Sequence, residues 1–200
     1  MSDAAILNLV LWLPIAGLVA TLALPRGRDD LVRGLAFTVM LVQLVLTAWL
    51  YLRFDPEIPG LQFETRVPWI AAWGVDYRIG LDGLNLLLVA LTAYLGPLVV
   101  AGAFTAIRTD VKLFHANVYF IQFAMLGTFL AQDLFLFYVF WEAMLIPMFL
   151  IIGIWGGERR IYATGKYVLY TAFGTILMLA AIRYLVWAQH AATGAVSFAF

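Results

Sequence analysis

The sequence predicts an all-α fold, a polytopic transmembrane helical bundle of about six helices with its N-terminus outside. The 200 residues are 64% hydrophobic and 12% charged, whereas a soluble domain has about 45–50% and about 25%. Apolar runs long enough to cross a bilayer recur along the whole chain. Basic residues are concentrated in alternate connecting segments, as they are in the cytoplasmic loops of membrane proteins.

Polar or helix-terminating residues bound each apolar run, and they give the spans in order. A helix of about 20 residues crosses a hydrocarbon core of about 30 Å. The pair Asp29-Asp30 is predicted to cap the second span, and Asp82 the third. A polar, aromatic-rich loop at 54–80 separates these two spans, and an apolar stub, AATGAVSFAF, ends the chain. The spans are predicted at 4–24, 31–52, 83–106, 113–131, 134–155 and 162–188.

Lysine and arginine are concentrated in three of the connecting segments, which alternate with segments that have fewer of them. Short loops rich in these residues are retained on the cytoplasmic side of the membrane. In the loop at 54–80 the acidic residues outnumber the basic ones, so we expect this loop outside, together with the N-terminus. The basic residues of the three predicted cytoplasmic loops are Arg26, Arg28, Arg33, Arg108, Lys112, Arg159 and Arg160.

The composition argues against several kinds of site. A formal net charge of zero offers no basic surface to nucleic acid, and the absence of cysteine removes disulfides and thiolate ligands. Histidine and glutamate do not cluster at metal-ligand spacing, and no paired histidines suggest haem. The glycines near 153–157 follow a helix and not a strand, so they do not form a phosphate loop. We expect no metal and no cofactor on this chain.

Glu142 is the one acidic residue predicted to lie deep in the bilayer. It follows Asp133 by nine residues, which puts it roughly 13 Å into a span about 30 Å thick. A charge there costs on the order of 2.5–3.5 kcal/mol, so such residues usually face a hydrated path or a bundle interior. Pro147 supports hydration because it frees the carbonyl of Ala143 beside Glu142. We predict that Glu142 relays protons; the alternative is a protonated glutamate that hydrogen-bonds a neighbouring helix.

Lys166 is the second candidate residue. It lies about one turn into the sixth span, where an ammonium can join a proton path at its cytoplasmic entrance or reach the lipid headgroups as an anchor. The sequence leaves both roles open. Lys166 and Glu142 differ in depth by roughly 13 Å, so we expect no direct contact between them. Three other ionisable residues near span ends are predicted to be interfacial anchors and not ligands: Arg183, His115 and His190.

Two stretches of the chain resemble a known family. The stretch FYVFWEAMLIPMFLIIGIWGGERRIYATGKYVLYTAFGT at 137–175 is similar to the fifth-to-sixth helix segment of the antiporter-like subunit M of proton-translocating NADH–quinone oxidoreductase, respiratory complex I. The stretch YRIGLDGLNLLLVALTAYLGPL at 77–98 is similar to the start of that family's third helix. The FWE…PM core and the charged loop after W-G-G are the most specific part of a resemblance that covers nearly the whole chain.

The resemblance implies a proton channel unit in the membrane arm of complex I, driven by electron transfer elsewhere in the complex. The family's essential fifth-helix glutamate corresponds to Glu142. NADH, flavin, iron–sulfur clusters and quinone are expected on other parts of the complex, with no redox chemistry on this chain. The implied partners are other membrane-arm subunits, including paralogous antiporter-like subunits, and the lipid of a bacterial inner membrane, without nucleic acid.

The chain departs from the family in length. Members have two inverted repeats with flanking helices, and a lysine on a broken seventh helix works with the glutamate. Here 1–110 corresponds to three N-terminal helices with the loop 54–80, and 111–200 to the first three helices of a truncated antiporter-like repeat. We therefore expect either an N-terminal segment of a longer subunit or a truncated product that another component completes.

Two other functions stay open. The same architecture serves in multisubunit cation/proton antiporters, and the presence or absence of a co-purifying redox arm separates the two. The chain could instead be a structural membrane subunit that conducts no protons. The missing seventh helix favours that role, and the presence of Glu142 argues against it.

Overall fold

The computed structural model describes residues 3–25, 27–70, 73–193 and 198. Six stretches of helix within these residues are long and apolar enough to cross a membrane, and they confirm the predicted spans. Arg26 of the first basic loop and most of the apolar stub, 194–197 with 199 and 200, lie outside the described residues. The six stretches are Ala4–Ala23, Asp29–Arg53, Asn85–Ala106, Val111–Leu130, Leu134–Trp155 and Arg160–Ala191.

Helices and one hairpin make up the described part of the chain. An unsatisfied backbone group is costly in lipid, which is why the apolar runs are helical along nearly their whole length. The elements are α1 Asp3–Ala23, α2 Asp29–Arg53, β1 Gln62–Ile70, β2 Val75–Leu81, α3 Asn85–Ala106, α4 Val111–Leu130, α5 Leu134–Ala143, α6 Leu145–Trp155 and α7 Arg160–Thr193.

The expectation of a loop at 54–80 is wrong for most of its length, because β1 and β2 pair there as an antiparallel hairpin. Arg66 stands opposite Arg78 in the register. Each arginine has an acidic partner on the other strand: Arg66 Nε lies 2.6 Å from Asp76 Oδ2, and Arg78 Nε lies 2.6 Å from Glu64 Oε1. These cross-strand pairs offset the like charges of the two arginines.

The fifth span is two helices and not one. α5 ends at Ala143 and α6 begins at Leu145, so the break falls at Met144. Pro147 has no N–H with which to reach the Ala143 carbonyl, which interrupts the ladder of helical hydrogen bonds at this point. Glu142 therefore stands two residues before a break in its own helix.

The predicted caps of the second and third spans differ in outcome. Asp82 Oδ1 accepts from the backbone N–H groups of Leu84 and Asn85 at 2.8 and 2.7 Å, so it caps α3 as predicted. Asp29 and Asp30 instead form the first turn of α2, whose N-terminus has no side-chain cap bond. Two acidic side chains in the first turn still interact favourably with the helix dipole.

The α4 helix lies at the centre of the bundle. It packs against α1, α2 and α3 as well as against α5 and α6. The predicted division at 110/111 falls in the loop before α4 and stays a prediction, although α4 packs closely with the three helices before it. α7 packs mainly against α6 and leaves most of its apolar side chains exposed.

The three basic loops meet at one end of the bundle, as predicted. Lys112 Nζ, at the start of α4, donates to the carbonyl of Leu24 after α1 at 2.7 Å. Trp155 Nε1, at the end of α6, donates to the carbonyl of Thr109 in the loop before α4 at 2.9 Å. The hairpin lies at the opposite end, and the assignment of each end to a side of the membrane remains a prediction.

Candidate functional site

Glu142 lies on a cleft of about 340 Å³ between α4, the α5–α6 pair and α7. Most of the lining is apolar, with methionine and aromatic side chains. The polar exceptions, besides Glu142, are four hydroxyl side chains, those of Thr128, Tyr167, Thr171 and Thr175. A mostly apolar cleft with a few converging polar groups is the usual form of a functional site.

The Glu142 carboxyl group lacks protein partners for part of its hydrogen-bonding capacity. Its Oε1 atom is buried and makes no hydrogen bond within the described structure. The Tyr138 hydroxyl, one turn earlier on α5, lies within interaction range of the carboxyl group. Leaving a buried acceptor unsatisfied costs about 1–3 kcal/mol, and more if it is charged. Water in a cleft of this size can satisfy the free oxygen and exchange a proton with it.

One face of α7 carries the hydroxyl groups that face Glu142. Thr164, Tyr167, Thr171 and Thr175 follow one another at intervals of three or four residues, so they lie on one side of the helix. The last three line the cleft, and Thr164 is buried against Gly153 of α6. This stripe was not among the features predicted from the sequence, although its helical spacing within an apolar span was a usable signal.

Two residues fix the position of α5, one through β2 and the other through α4. Asp133, directly before the fifth span, is buried and caps α5. Its Oδ1 accepts from the N–H groups of Phe135 and Leu136 at 2.9 and 3.0 Å, and its Oδ2 accepts from the Asp76 N–H of β2 at 3.2 Å. One turn before the break, Phe140 packs on α4. These contacts hold the helix from which Glu142 projects.

Lys166 does not share the cleft. Its side chain is exposed on α7, with Nζ 5.7 Å from the ring centroid of Tyr170. One residue along an α-helix turns the side chain by about 100°, so Lys166 points away from the face that carries Tyr167. The structure keeps Lys166 apart from Glu142, and its role as relay or anchor stays a prediction.

His115 is not at the interface, contrary to the sequence expectation. Its side chain is fully buried in the bundle, because α4 is surrounded by other helices from its first turn. Nδ1 lies 2.8 Å from the Val111 carbonyl, and Nε2 has no partner within the described structure. Arg183 and His190 are exposed on α7, as interfacial anchors would be.

No metal centre is visible in the part of the chain that the structure describes. No three His, Asp or Glu side chains there lie close enough together to hold an ion. The candidate site consists of the Glu142 carboxyl group and its hydroxyl neighbours, a set that suits proton exchange with water.

Comparison with known proteins places this fold among membrane subunits of respiratory and antiporter complexes. Residues 131–198 match the family described as NADH:quinone oxidoreductase/Mrp antiporter, TM. The chain is 41% identical over 181 residues to NADH-quinone oxidoreductase subunit M of Rhodobacter capsulatus, a match that covers 88% of this chain and 35% of that protein.

Solved structures give the same result. A chain in respiratory complex I from Thermus thermophilus with bound NADH matches with a TM-score of 0.75 and 31% identity, over 96% of this chain and 38% of that one. A chain of the Mrp complex from Dietzia sp. shares the fold with a TM-score of 0.74 at 19% identity, over 93% of this chain and 19% of that one. The present chain thus spans well under half the length of these relatives.

Proposed function

We propose that this chain belongs to the family of antiporter-like membrane subunits found in NADH:quinone oxidoreductase and Mrp antiporters, and that it forms the N-terminal part of a proton-translocating subunit in the membrane arm of complex I. The observation that carries the proposal is the buried, unpaired Oε1 atom of Glu142 on a cleft between three helices. The 41% identity to a subunit M and the 31% identity to a chain of complex I favour complex I over the antiporter.

Glu142 takes up and releases a proton through water in the cleft. Hydroxyl groups both donate and accept hydrogen bonds, so Thr171 and Thr175 on α7 can orient a chain of water molecules toward the carboxyl group. The carbonyl of Ala143, which Pro147 leaves without a helical donor, offers a further acceptor beside it. All of these groups come from the described residues of this chain.

Electron transfer supplies the energy elsewhere in the complex. NADH, flavin, iron–sulfur clusters and quinone belong to other subunits, and this chain carries no redox step. A conformational or electrostatic change that arrives from paralogous neighbours alters the charge pairing of Glu142. The proton then moves to a lysine supplied by the remainder of the subunit, while Lys166, Arg159 and Arg160 help to hydrate the entrance. The proposed location is a bacterial inner membrane.

The test is Glu142→Gln in the full subunit, assembled in its complex. Glutamine keeps the size and the hydrogen-bonding shape of the side chain but cannot carry the proton. We expect NADH-driven proton uptake into inverted membrane vesicles to fall by about tenfold or more, while native gels show an assembled complex. Glu158→Gln is the matched control, because Glu158 lies exposed in the loop before α7 and should leave uptake unchanged.

Unchanged pumping in Glu142→Gln would make Glu142 a packing residue and the chain a structural subunit. The antiporter would be favoured if the subunit purifies without a redox arm and if Glu142→Gln abolishes cation/proton exchange instead of NADH-driven uptake.

A further inference from the structure

We propose that α1, α2 and α4 enclose an internal water-binding site, separate from the Glu142 cleft and open only toward the end of the bundle that carries the basic loops. Within the described structure, five buried polar side-chain atoms have no hydrogen-bond partner. One is Glu142 Oε1, and the other four come from these three helices. The four are Thr21 Oγ1 of α1, Arg33 Nε of α2, and His115 Nε2 and Tyr119 Oη of α4.

Thr21, His115 and Tyr119 lie together between α1 and α4. The Tyr119 ring lies so close to Gly17 of α1 that a Cβ atom there would approach Tyr119 Cε1 to 2.6 Å. Thr21 is one turn after Gly17 on the same face, and its hydroxyl lies beside the phenol without a well-formed hydrogen bond. His115 is one turn before Tyr119 on α4. All three side chains are 0% exposed, so they have no access to bulk solvent.

Arg33 approaches the same group from α2. Its Nη2 donates to the Ile107 carbonyl at 3.0 Å and its Nη1 to Asp30 at 3.3 Å, while Nε is left buried without an acceptor. The Ile107 carbonyl lies in the segment that leads into α4, so this bond draws the guanidinium toward the first turns of α4, where His115 lies. Three helices therefore direct polar atoms into one region.

The chemistry of the four atoms identifies water as the occupant. The Val111 carbonyl near His115 Nδ1 can only accept, so Nδ1 carries the hydrogen and Nε2 of the neutral ring is an acceptor. Arg33 Nε can only donate, and the Thr21 and Tyr119 hydroxyls can do both. Water accepts from the arginine and donates to the histidine at once. Buried waters typically make about three hydrogen bonds to polar groups that the protein leaves unsatisfied.

A cleft of about 570 Å³ lies next to this cluster, at the basic end of the bundle. Each of the three helices contributes to its wall a residue that lies close in sequence to a residue of the cluster. Leu22 adjoins Thr21, Val32 adjoins Arg33, and Val111 precedes His115 by one turn. The charged residues at its mouth are Arg28, Asp29, Asp110 and Lys112. Water in this cleft therefore lies within one helical turn of the cluster, although the structure shows the cluster itself closed to bulk solvent.

The site ends about halfway across the bundle. Gln122, on the same face of α4 as His115 and Tyr119, already donates to Gln43 Oε1 and to the Thr92 carbonyl, both at 3.0 Å. Gln43 in turn donates to the Val10 carbonyl at 2.8 Å. These satisfied amides close the polar region. Beyond them lies an apolar cluster that includes Leu7, Leu11, Leu126 and Leu130, so water enters from one end only.

The first test detects water at the site directly, with the full chain in lipid nanodiscs and with the four residues of the site unchanged. His190→Gln leaves His115 as the one histidine, because the sequence has two. In water-edited solid-state NMR, we expect the His115 ring signal to build up about fivefold or more faster than the methyl signals of Leu7 and Leu11. A His115 build-up as slow as that of the two leucines would overturn the proposal.

A second test uses the absence of cysteine from the sequence. Thr21→Cys and Leu11→Cys place one thiol each on α1, at positions that are both 0% exposed. A small polar thiol reagent reacts with a hydrated thiolate. When the reagent is added from the basic end, we therefore expect Thr21→Cys to react about tenfold faster than Leu11→Cys. Equal rates, or access to Thr21→Cys only from the hairpin end, would contradict the site. Neither experiment involves proton pumping, so the outcome is independent of the role of Glu142.

Discussion

The ring of Phe140 on α5 packs directly on Gly127 of α4, so closely that a Cβ atom at Gly127 would overlap three of the ring carbons. Glu142 follows Phe140 by two residues, just before the helix break at Met144. The absence of a side chain at Gly127 therefore sets how near α5 lies to α4. It also sets where the Glu142 carboxyl group stands in its cleft.

Gly127→Ala should therefore destabilise the chain by roughly 1–3 kcal/mol, because the added methyl group forces α4 and α5 apart. Alanine is otherwise the better helix former by about 1 kcal/mol. Gly102→Ala on α3 is the matched control, since nothing lies within 4 Å of a Cβ atom there, and it should be neutral or stabilising. Reversible unfolding in mixed micelles measures both. Equal effects of the two substitutions would show that the Phe140 contact is not tight.

Asp133→Asn should cost about 1–2 kcal/mol of unfolding free energy. Asparagine can still cap α5 with its one oxygen, but its amide group faces the Asp76 N–H, which then has no acceptor. Asp110→Asn tests the same change at the N-cap of α4, where the side chain makes no cap hydrogen bond. We expect little effect there. Hydrogen exchange of the Asp76 amide should quicken in Asp133→Asn alone, and unchanged exchange would rule out this bond.

Thr171→Val should slow proton uptake several-fold in the assembled complex, because it removes a hydroxyl from the α7 face of the cleft while keeping the shape of the side chain. Thr38→Val on α2 is the control. Thr38 is exposed, and its hydroxyl bonds only to the Gly34 carbonyl of its own helix. Vesicle assays at equal complex content provide the comparison. Uptake that is normal in both variants would remove the α7 hydroxyls from the proposed path.

Tyr77 should make the unfolding free energy fall at high pH. Burial raises the pKa of its phenol above the usual value of 10, with the hydrogen bond from Trp12 acting in the opposite direction. Above about pH 10 the unfolded chain ionises at Tyr77 first, so stability declines as pH rises toward the pKa of the folded chain.

Denaturation at a series of pH values tests this expectation with Tyr77→Phe. The variant loses the bond from the Tyr77 hydroxyl to Asn8 Oδ1, so it should be less stable at pH 8. The gap between the two chains should narrow above about pH 10, where only the chain with Tyr77 has this phenol to ionise. A gap that stays constant with pH would contradict the shift.

The spans and Glu142 could be predicted from the sequence because lipid makes both conspicuous. A long apolar run in a bilayer has to be helical, and one carboxyl group in the run around Glu142 is costly enough to require an explanation. Neither prediction depends on which helices are neighbours in the bundle.

The hairpin and the buried polar groups could not be found in this way. β1 and β2 are held by pairs such as Arg66 with Asp76, and a search for apolar runs discards such residues. Thr171 and Tyr119 cost little in a hydropathy sum, so their importance depends on which helix they face. His115 shows the limit most clearly. Its position near a span end indicated an anchor, but α4 is surrounded by other helices at that level.

The two oxygens of Asp133 have a mechanical consequence for the bundle. One holds the first turn of α5 and the other holds β2, and Tyr77 of β2 donates a hydrogen bond to Asn8 of α1. The start of α5 is thereby linked through β2 to α1, while α6 begins only after the break at Met144 and has none of these contacts. A tilt of α6 relative to α5 would therefore move the surroundings of Glu142 while the hairpin stays still. The Glu142 carboxyl group lies beside this helix break, so a small change in the angle between α5 and α6 would alter its local environment.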